Sequence, residues 1–195
     1  MATQASTPIQ EFDSWFKEAQ KTSLRYPNAM SLATVDAQGT PAVRIVLMKH
    51  FDEQGVVFYT NLESDKSRDL KATGIAAINF HWEELGKQVR VTGKVEPVTS
   101  QEADEYFASR ARDSQIGAWA SIQSRPMAAR SEFEQRLAEF TKRFEGKTVP
   151  RPDGWSGWRI VPDRIEFWVE RPFRLHDRWV YTRKNGNWDC QLLYP

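Results

Sequence analysis

The chain has 195 residues, enough for one core that removes roughly 70% of the unfolded chain's surface from water without disulfides or structural metals. A single cysteine, Cys190, excludes an internal disulfide, and 27 basic against 26 acidic residues exclude a chain-wide footprint for nucleic acid or anionic membrane. Aromatic residues make up 12% of the chain, a load that suits either a dense core or a site for a flat ligand.

The first residues are small and polar, with no basic stretch followed by an apolar run. No apolar segment reaches the ~20 residues of a bilayer span. The expectation is a flexible leader over residues 1–8 and a cytoplasmic address. Thr7-Pro8-Ile9-Gln10 then offers a hydroxyl cap, a proline at the first helical position and a glutamine three residues after the cap. Phe12, Trp15, Phe16 and Ala19 recur at helical spacing, which predicts a helix to about Arg25.

Strands are predicted over Ala29 to Val35, Ala42 to Phe51 and Val56 to Thr60, divided by turns at Asp36 to Gly39 and Asp52 to Gly55. Ser64 caps a helix that runs through Thr73 and ends at Gly74. A hairpin pairs Ile75 to Trp82 with Gln88 to Val95. Thr99 to Glu102 is a capping box that opens a helix with Ala103, Tyr106, Phe107 and Arg110 on one face. Phe133, Leu137, Phe140 and Phe144 mark another helix. The last third reads as strands over Gly157 to Val161 and Ile165 to Val169, then a hairpin from Trp179 to Leu192 turning at Asn185-Gly186. Hairpins with helices inserted between them predict an α+β fold, one antiparallel β-barrel domain with peripheral helices.

Several catalytic devices are absent from the sequence: a dinucleotide or phosphate loop, a serine nucleophile elbow, and zinc-ligand spacing among His50, His81, His176 and Cys190. No metal is expected. What remains is a series of cations near element ends. Arg44 and Lys49 flank an apolar run. Either they sit on the exposed face or, being five residues apart, at least one points inward to an anion. Tyr59 to Lys66 reads as strand, turn and helix start, which is either an ordinary capped helix or a phosphate cradle completed by Lys66. Tyr106, Arg110 and Ser114 supply three donors suited to a second phosphate, although helical spacing brings such pairs together by chance. Gln88, Gln123 and Ser124 are weak signals taken singly. Arg174, His176 and Arg178 alternate, so an extended chain would project all three to one side, as an anion site or as a solvated edge.

These segments, Arg44 to Lys49, Tyr59 to Leu62, Arg112 to Trp119, Gln123 to Arg125 and Ile165 to Arg178, occur in register. Together they resemble the pyridoxamine 5'-phosphate oxidase family from about Asp13 to Pro195. The resemblance implies an FMN-binding split barrel that forms a homodimer, with FMN at the subunit interface. It implies oxidation of pyridoxamine or pyridoxine 5'-phosphate to pyridoxal 5'-phosphate, with O2 as acceptor and H2O2 as product. By the same resemblance Arg44, Ile45, Val46, Leu47, Met48, Lys49, Tyr59, Thr60, Lys66, Gln88, Gln123, Ser124, Trp168 and Arg178 contact FMN. Lys49, Tyr106, Arg110 and Ser114 hold the substrate phosphate, and Arg174, Leu175 and His176 cover its ring, with Arg174, His176 and Arg178 at the reacting centre.

The residue types suit that work. Phosphate dianions favour Arg, Lys and hydroxyl donors, and an amide such as Gln88 both donates and accepts, as a flavin edge requires. Asp65 departs from the arginine usual in the family beside the phosphate-binding lysine. The expectation is that Asp65 faces solvent while Arg68 supplies the missing cation. Val169 is a second departure, and a short amino terminus a third. Two alternatives stand beside this reading: a split-barrel oxidase of another substrate, of phenazine type, and a non-catalytic carrier of flavin or pyridoxal phosphate.

Overall fold

The computed structural model describes residues 7–195. Among them the elements run α1 (Pro8–Ala19), β1 (Ala29–Val35), β2 (Pro41–Leu47), β3 (His50–Asp52), β4 (Gly55–Asn61), α2 (Asp65–Thr73) and β5 (Ile75–Trp82). After these come β6 (Lys87–Pro97), α3 (Ser100–Ser109), α4 (Arg112–Ala120), α5 (Arg130–Arg143), β7 (Trp155–Val169), β8 (Asp177–Lys184) and β9 (Asn187–Leu193). All strand pairs are antiparallel, in the order β2-β1-β5-β6-β7-β4-β3, and β8 joins β7 and then β9. The expected α+β class holds, as a curled antiparallel half-barrel with helices around it.

β7 organises the sheet. Its first half pairs with β4 and its second half with β8, while β6 follows it along its length. Pro162 lies inside this strand and cannot donate to a ladder. The register of β6 shifts between Thr92 and Gly93, opposite the proline. Gly93 is required there, because a Cβ would stand 1.9 Å from the Val161 carbonyl oxygen.

α1 lays its apolar stripe on the inner face of the sheet. Phe12 packs against Phe51, Phe80 and Trp82, and Trp15 meets Phe167 and Trp179 edge-on. A second cluster joins α3, α4 and α5 to the start of β7 through Phe107, Ile116, Phe140, Phe144 and Trp155. Much of the aromatic load is thus core. No helix of the described residues is long and apolar enough to cross a membrane.

Both predicted capping boxes form, at Thr7 with Gln10 and at Thr99 with Glu102. The Asn185-Gly186 turn has φ of 50° and 82°, as a type I′ hairpin requires. Other expectations need correction. The leader predicted over residues 1–8 falls largely on residues 1–6, outside the described residues, and Pro8 already opens α1. That helix stops at Ala19 rather than Arg25, because the Thr22 hydroxyl and amide both take the Ala19 carbonyl. The strand predicted over Ala42 to Phe51 breaks after Leu47: the Met48 amide donates to Asn28 and the Lys49 amide to Val57, passing the chain to a new neighbour. The two strands predicted after Gly157 are one strand, β7. Helix α4 was not predicted at all.

Candidate functional site

Three groups of polar residues stand at the ends of these elements. The first lies where β4 enters α2. Ser64 occupies the cap position, but its hydroxyl donates to the Asn61 carbonyl (2.7 Å) rather than accepting from the helix, so no side chain caps the first-turn amides. Lys66, half-buried, donates to the Thr60 hydroxyl (3.2 Å), the Ser64 hydroxyl (3.1 Å) and the Gln123 side-chain oxygen (2.9 Å). Thr60 also donates to Gln123 (3.1 Å). Burial lowers the Lys66 pKa, and the nearby positive charge of Arg44 lowers it further. Lys66 is thus a partly dehydrated cation whose hydrogen bonds go to neutral oxygens, with Arg44 beside it and the exposed Asp65 to attract it.

Arg44 itself leans on β1. Its guanidinium donates to the Thr34 hydroxyl (2.6 Å) and the Leu32 and Ala42 carbonyls, and Asp69 stands 3.8 Å away. Ile45 is exposed, Val46 packs against the core, and Met48 is buried in it. The side chain of Met48 is therefore sequestered. Arg68, expected to supply a cation beside this site, pairs with Asp65 and donates to the Glu63 carbonyl (2.9 Å). Asp65 is exposed, as expected.

The second group is aromatic and cationic. Tyr59 stacks on Tyr106 at 4.2 Å and on Trp155 at 5.4 Å. Lys49 Nζ lies 5.6 Å from the Tyr106 ring centre and the Arg110 guanidinium 4.9 Å from that of Trp155. Arg110 NH1 is buried and has no hydrogen-bond partner. Burial lowers the Arg110 pKa. Ser114 is exposed in the first turn of α4, a helix whose cap residue, Ala111, has no side chain to offer its amides.

The third group lies on the outer face of β6, β7 and β8. Gln88, Trp168 and Arg178 occupy one cross-strand row. The opposite face carries the buried Val89, Phe167 and Trp179. His176 packs its ring 4.4 Å from Trp168 and accepts from the Arg171 amide. The expected alternation of Arg174, His176 and Arg178 does not form. Pro172–Arg174 is a 3-10 turn in which Phe173 and Arg174 have φ of 58° and 63°. Arg174 and Leu175 are exposed.

The sequence reading missed Trp155, which joins the stack, and Glu166, whose carboxylate binds Arg178. Trp155 follows a loop and shows no periodicity, and Glu166 looks like any strand charge until its neighbours are placed. Ser124 adjoins Gln123 with φ of 65°, a strained backbone for a non-glycine residue, on the wall of a cavity of about 300 Å³.

Residues 16–144 match the family described as Pyridoxamine 5'-phosphate oxidase, and residues 155–195 match the Pyridoxine 5'-phosphate oxidase C-terminal dimerisation region. The chain belongs to the pyridoxamine 5'-phosphate oxidase family. A pyridoxine/pyridoxamine 5'-phosphate oxidase of Myxococcus xanthus (strain DK1622) is 55% identical over 188 residues, 96% of this chain and 91% of that protein. One from Rhizobium meliloti (strain 1021) is 54% identical over 195 residues, 99% of this chain and 95% of that protein. Among solved structures, PhzG from Burkholderia lata 383 in complex with tetrahydrophenazine-1-carboxylic acid superposes with a TM-score of 0.93 at 31% identity, over 98% of this chain and 94% of that one. A pyridoxamine 5'-phosphate oxidase-related, FMN-binding protein from Nostoc punctiforme PCC 73102 gives a TM-score of 0.76 over 98% of this chain and 99% of that one. Its 18% identity makes this a likeness of fold alone.

Proposed function

We propose that this chain is an FMN-dependent oxidase converting pyridoxamine or pyridoxine 5'-phosphate to pyridoxal 5'-phosphate, with O2 as acceptor and H2O2 as product. The observation that carries the proposal is a pair of separate, partly buried cations: Lys66, hydrogen-bonded to neutral oxygens, and Arg110, with a buried guanidinium nitrogen that has no partner. A phosphorylated cofactor and a phosphorylated substrate need two such sites.

The residues fit FMN. Lys66, Thr60 and the open first turn of α2 match its phosphate, with Arg44 adding positive charge nearby. Gln88, which can donate and accept, stands in line with Trp168 and Arg178 as an edge for the flavin ring. When bound, FMN supplies the two-electron acceptor that takes hydride from the substrate carbon and passes electrons to O2.

The chain's own work is positional. Arg110 and Lys49 grip the substrate phosphate, with Tyr106 and Ser114 as hydroxyl donors. Arg174, Leu175 and His176 cover the ring from an exposed turn. Fixing two rings in one stack is the main source of rate, and no side-chain nucleophile is required.

A homodimer is supported by the match of residues 155–195 to a dimerisation region and by exposed apolar side chains: Val43 and Ile45 on β2, Leu192 and Tyr194 at the C-terminus. We assign the whole chain to one such domain. The phenazine-type alternative finds support in the 0.93 superposition, but at 31% identity against 55% for the pyridoxine/pyridoxamine 5'-phosphate oxidase. Peroxide release on adding pyridoxamine 5'-phosphate, and its loss with the dephosphorylated amine, tests the proposal. Equal turnover of both amines would remove the role given to Arg110.

A further inference from the structure

Glu166 is 1% exposed, and no step above uses it. Its Oε1 accepts from Nε (3.0 Å) and NH2 (2.8 Å) of Arg178. Its Oε2 accepts from Arg164 (2.7 Å) and from Arg90. One carboxylate thus gathers guanidiniums from β6, β7 and β8. Burial alone would push its pKa up, but donation from Arg90, Arg164 and Arg178 outweighs it and holds the carboxyl below its usual range.

The register places this cluster next to the third polar group. Arg90 faces Glu166 across β6 and β7, one row from Gln88, Trp168 and Arg178. Residues two apart on a strand share a face, so Glu166 and Trp168 lie side by side. Arg178 is held on a second edge as well, where NH1 donates to the Tyr194 carbonyl (3.1 Å). A guanidinium fixed on two edges has its remaining N–H groups fixed in direction.

We propose that Glu166 is a positioning residue: through its paired hydrogen bonds it sets the orientation in which Arg178 meets the flavin. This rests on the FMN site proposed above. Removal of the carboxylate leaves three guanidiniums facing one another, so they separate and Arg178 loses its direction.

The test measures FMN dissociation from the apoprotein by flavin fluorescence, alongside thermal unfolding of each variant. Arg178→Gln weakens FMN roughly tenfold, as loss of one charge-assisted contact requires. Glu166→Gln weakens it by a similar factor, and the double variant is no worse than either single change. Arg90→Gln, which breaks another arm of the cluster, lowers the unfolding temperature but leaves FMN affinity within about twofold. Should Glu166→Gln not fold, combining it with Arg164→Gln removes one crowded charge and carries the same comparison. If Arg178→Gln weakens FMN while Glu166→Gln does not, or if Arg90→Gln weakens it as much as Glu166→Gln, the positioning role is wrong and the FMN site stands. If Arg178→Gln leaves FMN affinity unchanged, the place given to Arg178 in the FMN site fails and the inference with it.

Discussion

Lys66 and Arg110 show how a residue's surroundings announce a ligand. Each is a cation drawn partly out of water with no carboxylate hydrogen-bonded to it among the described residues, an arrangement costly to the fold by itself. Arg110→Ala should therefore reduce kcat/KM by about 1.5–3 kcal/mol, chiefly through KM, while the purified protein stays yellow. A colourless variant would show that Arg110 serves the cofactor. At the opposite site the Asp65 and Arg68 pair is exposed on both sides, so its influence is screened. Asp65→Asn releases the Arg68 charge and should tighten FMN by only a few-fold at low salt, an effect that titration at high salt abolishes. Because Arg68 is already neutralised, Arg68→Ala should leave FMN affinity nearly unchanged. A marked loss would restore the idea that Arg68 supplies the missing cation.

At the scale of elements, α3 carries Tyr106 into the site, and its start is held from two sides. Thr99 and Glu102 form the capping box, and the buried Arg159 of β7 binds Glu102. The Thr99 amide, ahead of the Thr99 hydroxyl and Arg159, lowers the Glu102 pKa below its ordinary value of 4.5. A carboxylate with a depressed folded pKa contributes stability that is complete above the ordinary value and disappears as pH falls through the depressed one. Unfolding temperature should thus drop on the acid side of about pH 4.5, and Glu102→Gln should flatten that limb. An identical acid limb in the variant would show that the carboxylate contributes nothing there. Gly93→Ala drives a Cβ onto the Val161 carbonyl. It should cost at least roughly 1–3 kcal/mol by denaturant unfolding. Elements with local signals were legible in the sequence: the two capping boxes, the Asn-Gly turn, and Gly74 as an αL stop with φ of 69°. What escaped depends on partners distant in sequence. α4 lacks both a capping side chain and a strong apolar stripe, and the break after Leu47 is made by amides that turn to Asn28 and Val57. The exposed turn at Arg174 hides behind an alternating pattern that a strand would share. Family motifs placed Thr60, Lys66 and Gln123, which do converge. They did not show Glu166, whose role rests on three arginines from three strands.

For the whole molecule, the proposed site on the outer face of β6, β7 and β8 would be completed by a second copy, which the exposed apolar side chains of β2 would help seat. Leu192 is 82% exposed at the C-terminal end of the region that matches a dimerisation family. Leu192→Glu should shift sedimentation toward the monomer and weaken FMN in parallel, whereas a monomer with full FMN affinity would place the cofactor within one chain. On the proposed reading this half-barrel holds two phosphorylated rings in contact and passes two electrons between them. The most direct test of that reading is a single anaerobic mixing of the FMN-loaded protein with one equivalent of pyridoxamine 5'-phosphate, followed by air. The flavin absorbance should bleach, pyridoxal 5'-phosphate should form in equal amount, and air should restore the colour with one equivalent of H2O2. A flavin that binds stoichiometrically yet stays oxidised in the presence of this substrate would contradict the assignment.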